Sequence, residues 1–205
     1  MKILYFVRHA QSEANVNDIL ASQLDIPLSE AGREDVNQIA SKLKKISKLD
    51  RIISSPLIRA KDTASSIATR FNIPLETDAR IIEQDLGIFS GMSYKELKLR
   101  NDYMQDRSKR WTWVPDGGES YKMVAMRLDS FFKALYTAEA ETILCVTHAV
   151  TMRIMKAYLQ KTLPKYPLTI ANNGEVWKCE WHGLESKCDI TSLFLNDNLK
   201  FKARA

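Results

Sequence analysis

Cysteine is scarce in this chain of 205 residues, which contains only Cys145, Cys179 and Cys188. Three is an odd number, the spacing is not that of metal ligands, and Cys145 lies inside an apolar run. This usage is typical of proteins from a reducing compartment, where thiols stay unpaired. We therefore expect a cytoplasmic setting.

Long hydrophobic runs are also missing from the sequence. No apolar run approaches the roughly 20 residues that a membrane-spanning helix needs, and no signal-peptide pattern precedes the first strand-like segment. We expect no membrane association. The formal net charge of +5 is a mild excess, which favours anionic ligands without requiring nucleic acid.

The motifs that hold cofactors are absent as well. There is no glycine-rich nucleotide fingerprint, and the three histidines are dispersed without acidic or cysteine partners at metal-ligand spacing. Basic and tryptophan residues cluster between positions 95 and 113, but acidic residues interleave with them. That mixture favours a solvated helix face over a nucleic-acid surface. We expect no cofactor, no metal and no nucleic acid.

Short apolar runs alternate with segments of helical periodicity along the chain. In a chain of this length, the alternation predicts one domain over residues 1–205, an α/β sandwich around a mainly parallel sheet. Ser29 is expected to cap a helix that runs to about residue 45. Ser55 is expected to cap another that begins at Pro56, and Glu119 to open a third.

Two further segments near the end of the chain alternate like strands, residues 174–182 and 189–195. We expect them to pair at an edge of the sheet. An exposed strand over residues 174–180 could join a second copy of the chain in a homodimer.

Two apolar runs end directly on histidines. The first ends on Arg8 and His9, the second on His148, and a helical segment follows each. Polar groups at the ends of buried parallel strands are typical of active sites in open α/β sheets. An imidazole can attack phosphorus as a nucleophile, and it needs an adjacent cation to hold the anion. Arg8 and His9 supply that pair on successive residues.

Arg59 falls in the first turn of the helix predicted to begin at Pro56, where the helix dipole disfavours a cation. Either this arginine bends into solvent, or an anion sits between it and the helix end. Its planar donor fork suits phosphate oxygens.

Two acidic residues compete for the role of a proton donor. Glu83 and Asp85 are two positions apart and would share a strand face. Either could protonate a leaving-group oxygen, and either could be a solvated loop acid. Ser12 and Asn15, shortly after His9, could cap a helix or bind a phosphate.

Five motifs, in order and in register, resemble those of the histidine phosphatase superfamily, also called phosphoglycerate-mutase-like. Any one of them would be weak, but together they are specific and extend along nearly the whole chain. They are Arg-His-Ala-Gln-Ser-Glu-Ala-Asn at 8–15, Ser-Ser-Pro-Leu-Ile-Arg-Ala-Lys-Asp-Thr-Ala at 54–64, Glu83 followed by Gly87 and Gly91, Gly-Gly-Glu-Ser at 117–120, and Val-Thr-His-Ala at 146–149.

The resemblance implies a three-layer αβα sandwich and a role for each candidate residue. His9 would be the nucleophile, passing through a phosphohistidine, and Glu83 would be the acid and then the base. Arg8, Arg59 and His148 would clamp the phosphoryl oxygens, with Ser12 and Asn15 as further phosphate contacts, and no metal would be needed. Ala10 replaces the family's glycine, from which we expect an altered pocket shape.

Within the family, the resemblance favours a phosphatase acting on small phosphate monoesters, of the histidine acid phosphatase type. A cofactor-dependent phosphoglycerate mutase and an inactive phospho-ligand-binding module are the alternatives. Mutases carry a lysine where this chain has Tyr94, although Lys95 is adjacent. An insert over about residues 90–115 would cap the pocket, and we expect its basic residues with Trp111 and Trp113 to select the substrate.

Overall fold

The computed structural model describes residues 1–194, whose six strands form a single sheet. In chain order they are β1 (Lys2–Arg8), β2 (Arg51–Ser54), β3 (Leu75–Thr77), β4 (Thr142–Thr147), β5 (Val176–Trp181) and β6 (Ile190–Phe194). The order across the sheet is β3-β2-β4-β1-β5-β6. The neighbouring strands from β3 to β1 run parallel to one another, whereas β5 is antiparallel to both of its neighbours, β1 and β6. The mainly parallel sheet is therefore confirmed.

Within residues 1–194, six α-helices connect and cover the strands. They are α1 (Glu13–Val16), α2 (Glu30–Ile46), α3 (Ile58–Phe71), α4 (Tyr94–Lys98), α5 (Tyr121–Thr137) and α6 (Ala149–Leu159). Three short 3-10 turns lie between them, at Ala79–Ile81, Gly87–Phe89 and Arg107–Lys109.

Alternate residues of each central strand enter different cores. Leu4 and Phe6 of β1 pack with α5 and α6, whereas Tyr5 and Val7 pack with α2 and α3. Successive side chains of a strand point to opposite faces, so an unbroken apolar run is what a strand covered on both faces requires. The sheet thus lies between two helical layers, and the predicted three-layer αβα sandwich is confirmed.

The predicted helix starts were partly wrong. Ser29 caps α2 as expected, its hydroxyl accepting from the Gly32 amide at 3.1 Å. However, α3 begins at Ile58 rather than at Pro56, because Asp25 accepts the Ile58 amide hydrogen at 2.6 Å. The hydroxyl of Ser55 contacts a histidine instead.

The start of α5 also lies later than the sequence suggested. The helix begins at Tyr121, and the Ser120 hydroxyl accepts from the Met123 amide at 3.2 Å. Glu119, the predicted first residue, instead pairs with Arg127. A helix N-cap with a short polar side chain satisfies free amides better than a glutamate in the helix itself.

The predicted strand pair exists, but β5 is not an edge strand. It lies between β1 and β6, so residues 174–180 have no free edge for a second copy of the chain. Cys179 of β5 and Cys188 are paired as a disulfide, with Cα atoms 6.2 Å apart, while Cys145 is free and buried. This pairing was not expected from the sequence.

Within residues 1–194, no helix combines the length and the apolar character needed to cross a membrane.

Candidate active site

The two strand ends that carry histidines are neighbours in the sheet. β1 and β4 run parallel, and Arg8 is in register with Thr147, so His9 and His148 follow at the same level. The centroids of the two imidazole rings are 5.1 Å apart. The topology thus brings together the two histidines that the sequence separates by more than half the chain.

The contacts of His9 fix its tautomer. The ring is buried, and Nδ1 lies 2.7 Å from the Ala10 carbonyl oxygen, which can only accept. Nδ1 therefore carries the proton, and the lone pair of Nε2 stays available for attack. Burial lowers the pKa of His9 well below 6.5, and the positive charges of Arg59 and Arg8 lower it further. His9 is a neutral imidazole at physiological pH.

Backbone carbonyls hold the two predicted arginines in place. Arg8 donates to the Ala171 carbonyl at 2.7 Å, and no residue of the described range 1–194 accepts from its Nε. Arg59 donates to the carbonyls of Ser22 and Leu24, both at 2.7 Å. Each guanidinium keeps N–H groups beyond those used here.

The position of Arg59 decides between the two interpretations of the sequence. Its side chain is 1% exposed, so it does not bend into solvent. Burial lowers its pKa to about 10, while the carboxylate of Glu83 opposes that shift. The guanidinium therefore remains cationic at neutral pH, buried beside the start of α3. Such an arrangement suits a bound anion.

Glu83 and Asp85 have different surroundings in the structure. Glu83 lines a cavity beside His9, and its carboxylate accepts from the backbone amides of Val150 and Thr151 at 3.3 and 3.2 Å. Asp85 instead accepts from the Gly87 amide at 2.9 Å and stabilises the turn there. Only Glu83 is placed to reach a group bound at His9.

Ser12 and Asn15 both cap a helix and line the cavity. The amide and hydroxyl of Ser12 donate to Oδ1 of Asn15, at 3.0 and 2.9 Å. Asn173, which the sequence did not single out, donates to the same oxygen at 3.0 Å and to the His9 carbonyl at 3.1 Å. Because Oδ1 is occupied, the amide NH₂ of Asn15 is the group left for a ligand.

The alanine at position 10 lies behind the cavity wall. Ala10 is buried in a small apolar cluster with Leu28 and Val36, and it does not line the cavity. Its amide donates to the Thr63 hydroxyl at 3.1 Å, and that hydroxyl donates to the Arg59 carbonyl at 2.8 Å. The extra methyl group thus fills space behind the site, and the backbone there is tied to α3.

His148 lies behind His9 and is fully buried. Its Nε2 is 2.7 Å from the Ser55 hydroxyl, and its Nδ1 has no hydrogen-bond partner within the described part of the chain. Burial lowers its pKa well below 6.5, and the positive charges of Arg59 and Arg8 lower it further. His148 is therefore neutral as well.

A cavity of about 1170 Å³ opens at these strand ends. Six of the seven predicted site residues line it, His148 being the exception. They are Arg8, His9, Ser12, Asn15, Arg59 and Glu83. Volume of this order accommodates a ligand considerably larger than phosphate.

The insert over residues 90–115 contributes to the cavity wall, but through residues other than its tryptophans. Tyr94, Lys98, Tyr103, Arg107 and Arg110 are among those that line the cavity.

The tryptophans of the insert have structural contacts instead. Trp113 packs on Phe89 and Tyr103, and Trp111 stacks on Tyr166. Neither tryptophan lines the cavity, so the position of these side chains does not support the expectation that they select the substrate.

Several further residues of the cavity wall were not predicted from the sequence, among them Tyr121, Arg153, Asn173 and Glu175. Their types and spacing resemble those of ordinary helix and loop residues, and only the fold brings them to the site. Among residues 1–194, no group of three or more histidine, cysteine or acidic side chains could hold a metal ion.

Comparison with known families matches this chain to one of them. The family described as the histidine phosphatase superfamily (branch 1) matches residues 4–191.

Several characterised proteins are similar in sequence. Phosphoserine phosphatase 1 of Hydrogenobacter thermophilus is 37% identical over 158 residues, covering 74% of this chain and 73% of that protein. Glucosyl-3-phosphoglycerate phosphatase of Mycobacterium tuberculosis is 34% identical over 143 residues, covering 67% of this chain and 62% of that protein. The match thus spans less than two thirds of the mycobacterial protein.

Solved structures agree with the sequence comparison. The native structure of mycobacterial glucosyl-3-phosphoglycerate phosphatase superimposes with a TM-score of 0.81 at 27% identity, covering 93% of this chain and 97% of that one. Its complex with inorganic phosphate gives a TM-score of 0.80 at 25% identity, with coverage of 96% and 97%.

Proposed function

This chain belongs to the histidine phosphatase superfamily, and we propose that it hydrolyses phosphate monoesters of small molecules through a phosphohistidine at His9. The observation that carries the proposal is the neutral His9 ring, with Nδ1 bound to a carbonyl and Nε2 free beside the buried Arg59 and the half-buried Arg8. Relatives named phosphoserine phosphatase and glucosyl-3-phosphoglycerate phosphatase support hydrolysis.

In the first step, the Nε2 lone pair of His9 attacks phosphorus as the ester P–O bond breaks. The bonding electrons pass to the leaving oxygen, which takes a proton from the Glu83 carboxyl group. Arg8 and Arg59 hold the phosphoryl oxygens and offset their charge, which is the main requirement of phosphoryl transfer. His148 does not line the cavity, although its ring centroid is 5.1 Å from that of His9, so its role as a phosphate contact stays a prediction.

In the second step, water attacks the phosphohistidine. Glu83 accepts a proton from that water, the P–N bond breaks, and its electrons return to Nε2 of His9. Phosphate leaves, and both side chains are restored to their starting protonation states. The Val150 and Thr151 amides keep the Glu83 carboxylate in one position through both steps.

The geometry favours a phosphatase over a mutase. Tyr94 lines the cavity at the position where mutases carry lysine, and the adjacent Lys95 is exposed and lies outside the cavity wall. In the same insert, Arg110 lines the cavity, whereas Lys109 pairs with Asp106. Neither Tyr94 nor Lys95 therefore supplies a lysine to the cavity at the position where a mutase carries one.

We predict that the protein releases phosphate from p-nitrophenyl phosphate at the same rate with and without EDTA, because guanidinium and imidazole groups fill the role of a metal. The assay is inorganic phosphate release after dialysis against the chelator. A parallel assay for interconversion of 2- and 3-phosphoglycerate, with and without bisphosphate primer, should show hydrolysis only. Activity that returns only on adding a divalent metal, or interconversion faster than hydrolysis, would contradict the proposal.

We predict an acid-tolerant activity, because the pKa of His9 lies well below 6.5 in the folded protein. Protonation removes the Nε2 lone pair, so kcat/KM, corrected for substrate ionisation, should fall only at a pH well under 6.5. This pH profile tests whether the enzyme is of the acid phosphatase type. An acidic limb centred near pH 6.5 would show that His9 is not buried as described.

The same shift predicts a loss of stability in acid. Below pH 6.5 the unfolded chain takes up protons on His9 and His148 that the native state does not, so the free energy of unfolding falls as pH falls toward the depressed pKa values. Thermal unfolding between pH 8 and 5 measures this slope. His9→Ala should reduce it, and replacing the exposed His182 should not.

We keep as predictions the cytoplasmic setting, the single domain over residues 1–205 with its cap at 90–115, and a homodimer. The disulfide between Cys179 and Cys188 does not support the first, and the pairing of β5 on both sides removes the strand edge on which the homodimer was based. The partner proposed for the cavity is a phosphorylated small molecule.

A further inference from the structure

Asn173 donates hydrogen bonds to two separate parts of the proposed site. Its side chain is 3% exposed and lines the cavity. Its Nδ2 lies 3.0 Å from Oδ1 of Asn15, 3.1 Å from the His9 carbonyl oxygen and 3.3 Å from that of Ala10. An amide NH₂ group has two hydrogens, so one can be shared by the two carbonyls while the other is donated to Asn15. One side chain therefore contacts both the backbone at the proposed nucleophile and the amide of a proposed phosphate contact.

A tight turn fixes the position of Asn173. The turn runs from Asn172 to Glu175, and the Glu175 amide donates to the Asn172 carbonyl at 3.0 Å. Its third residue, Gly174, has a φ of 72°, which suits glycine in a turn of this kind. The Glu175 carboxylate accepts from the Asn172 amide at 2.7 Å, and the Gly174 amide donates to the Arg8 carbonyl at 3.1 Å. The turn is thus closed on itself and bound to the end of β1.

The contact with Asn15 sets which end of that amide is turned toward a ligand. Oδ1 of Asn15 accepts from Asn173 and from both the amide and the hydroxyl of Ser12. These donors leave the NH₂ group of Asn15 to donate to a phosphate oxygen in the cavity. In the reversed orientation, the side-chain oxygen would face the phosphate and repel it. Asn173 supplies one of the hydrogen bonds that oppose this reversal.

The other contacts of Asn173 act on the backbone that carries His9. The Ala10 carbonyl oxygen lies 2.7 Å from Nδ1 of His9, and this bond keeps the proton on Nδ1. Asn173 is a second donor to the same oxygen, and it also binds the His9 carbonyl. A rotation of this part of the backbone would carry the imidazole with it. Because small misplacements of a reacting group cause large losses in rate, these contacts bear on the chemical step.

Building on the proposed function, we infer that Asn173 is a positioning residue of the reaction. It orients the Asn15 amide toward the phosphoryl group and fixes the backbone that holds His9. Its donors are used within the protein, so it acts through these two residues rather than on the substrate. Its removal should therefore have two effects, weaker binding of phosphate through Asn15 and slower formation of phosphohistidine through His9.

The first test is a double-mutant cycle on phosphate binding. The inhibition constant of inorganic phosphate against p-nitrophenyl phosphate hydrolysis is measured for the wild type, Asn15→Ala, Asn173→Ala and the double variant. Asn15→Ala should weaken phosphate binding about 10-fold, as expected for a hydrogen bond to a charged group, and Asn173→Ala about fivefold. The double variant should bind phosphate no more weakly than Asn15→Ala. A double variant about 50-fold weaker than the wild type, as independent residues would give, would overturn the inference.

The second test isolates the contacts with the backbone at His9. In the Asn15→Ala background, Asn173→Ala should still slow phosphohistidine formation about 10-fold or more, since the bonds to the His9 and Ala10 carbonyls do not pass through Asn15. The rate is measured in a single turnover of labelled substrate, with the protein in excess and at saturating concentration. An unchanged rate would overturn the role assigned at His9.

Asn173→Leu separates hydrogen bonding from the filling of space. Leucine keeps the branching and the number of side-chain heavy atoms of asparagine, and it removes both donors. It should reproduce the losses of Asn173→Ala, and wild-type behaviour of this variant would overturn the inference. It also replaces Asn173→Ala in the cycle if circular dichroism shows that the alanine variant is unfolded. Asn37→Ala, the same change at an exposed position of α2, is the matched control and should change neither the inhibition constant nor the rate.

The inference and the proposed function can fail separately. A wild-type protein that neither binds phosphate nor forms a phosphoenzyme would overturn the proposed function first, and the inference with it. A wild type that does both, with variants whose effects on phosphate binding multiply, would overturn the inference alone.

Discussion

Replacing His9 by alanine is expected to lower turnover of p-nitrophenyl phosphate by about 10⁴-fold or more, as removal of a nucleophile does in other enzymes. Nε2 of His9 carries the lone pair that attacks phosphorus beside Arg8 and Arg59, and without this nitrogen no phosphohistidine can form. Turnover is measured by phosphate release, and circular dichroism with thermal unfolding checks that the variant is folded. His9→Asn, which keeps a polar side chain in the buried site, serves as a second variant.

The chain offers its own control for this experiment. His182 is the third histidine and is exposed, so His182→Ala should retain full activity. Quenching with detergent at alkaline pH after labelled substrate should trap a phosphoenzyme, stable in base and labile in acid, in the wild type and in His182→Ala, and none in His9→Ala. Substantial turnover by His9→Ala would rule out the mechanism. A wild type that binds substrate without forming the phosphoenzyme would indicate a binding module.

Replacing Glu83 by glutamine should slow the hydrolysis of alkyl phosphates by about 10²–10⁴-fold, the usual contribution of general acid–base catalysis. Glutamine keeps the shape of the side chain and can still accept from the Val150 and Thr151 amides, but it cannot donate a proton to the leaving oxygen. p-Nitrophenolate leaves without protonation. The formation of phosphohistidine from p-nitrophenyl phosphate should therefore be much less affected, and a burst of nitrophenol should precede slow turnover.

Asp85→Asn is the matched control, since the sequence left Glu83 and Asp85 as equal candidates. Asparagine keeps the oxygen that accepts from the Gly87 amide, so the turn should persist and the kinetics should resemble those of the wild type. The assignment of the acid would be reversed if Asp85→Asn showed the leaving-group dependence and Glu83→Gln did not.

Local patterns predicted the fold well where the determining contacts are themselves local. The apolar run of β1 and the cap at Ser29 belong to segments whose own residues fix them. The predicted start of α3 was wrong because the side chain that accepts the Ile58 amide hydrogen is Asp25, 33 positions away. No pattern around Pro56 indicates that contact. The disulfide of Cys179 and Cys188 likewise depends on the turn between two strands.

The residues of the site likewise fall into those that local patterns predict and those that depend on distant contacts. His9 and His148 could be predicted because each ends an apolar run, and parallel strands align their ends. The choice between Glu83 and Asp85 could not, since it rests on which carboxylate meets the amides of α6. Arg153 was missed because a cation in mid-helix looks the same whether it faces solvent or a cavity.

Helix α6 positions several residues of the site at once, so they cannot change position independently during evolution. His148 directly precedes it, the amides of its first turn hold Glu83, and Arg153 lies within its second turn. A change that tilts this helix to admit a new substrate would also move the acid. New specificities in descendants of this chain should therefore arise by exchange of residues in the 90–115 insert. Engineering of specificity should likewise change the insert and keep helix α6 unchanged.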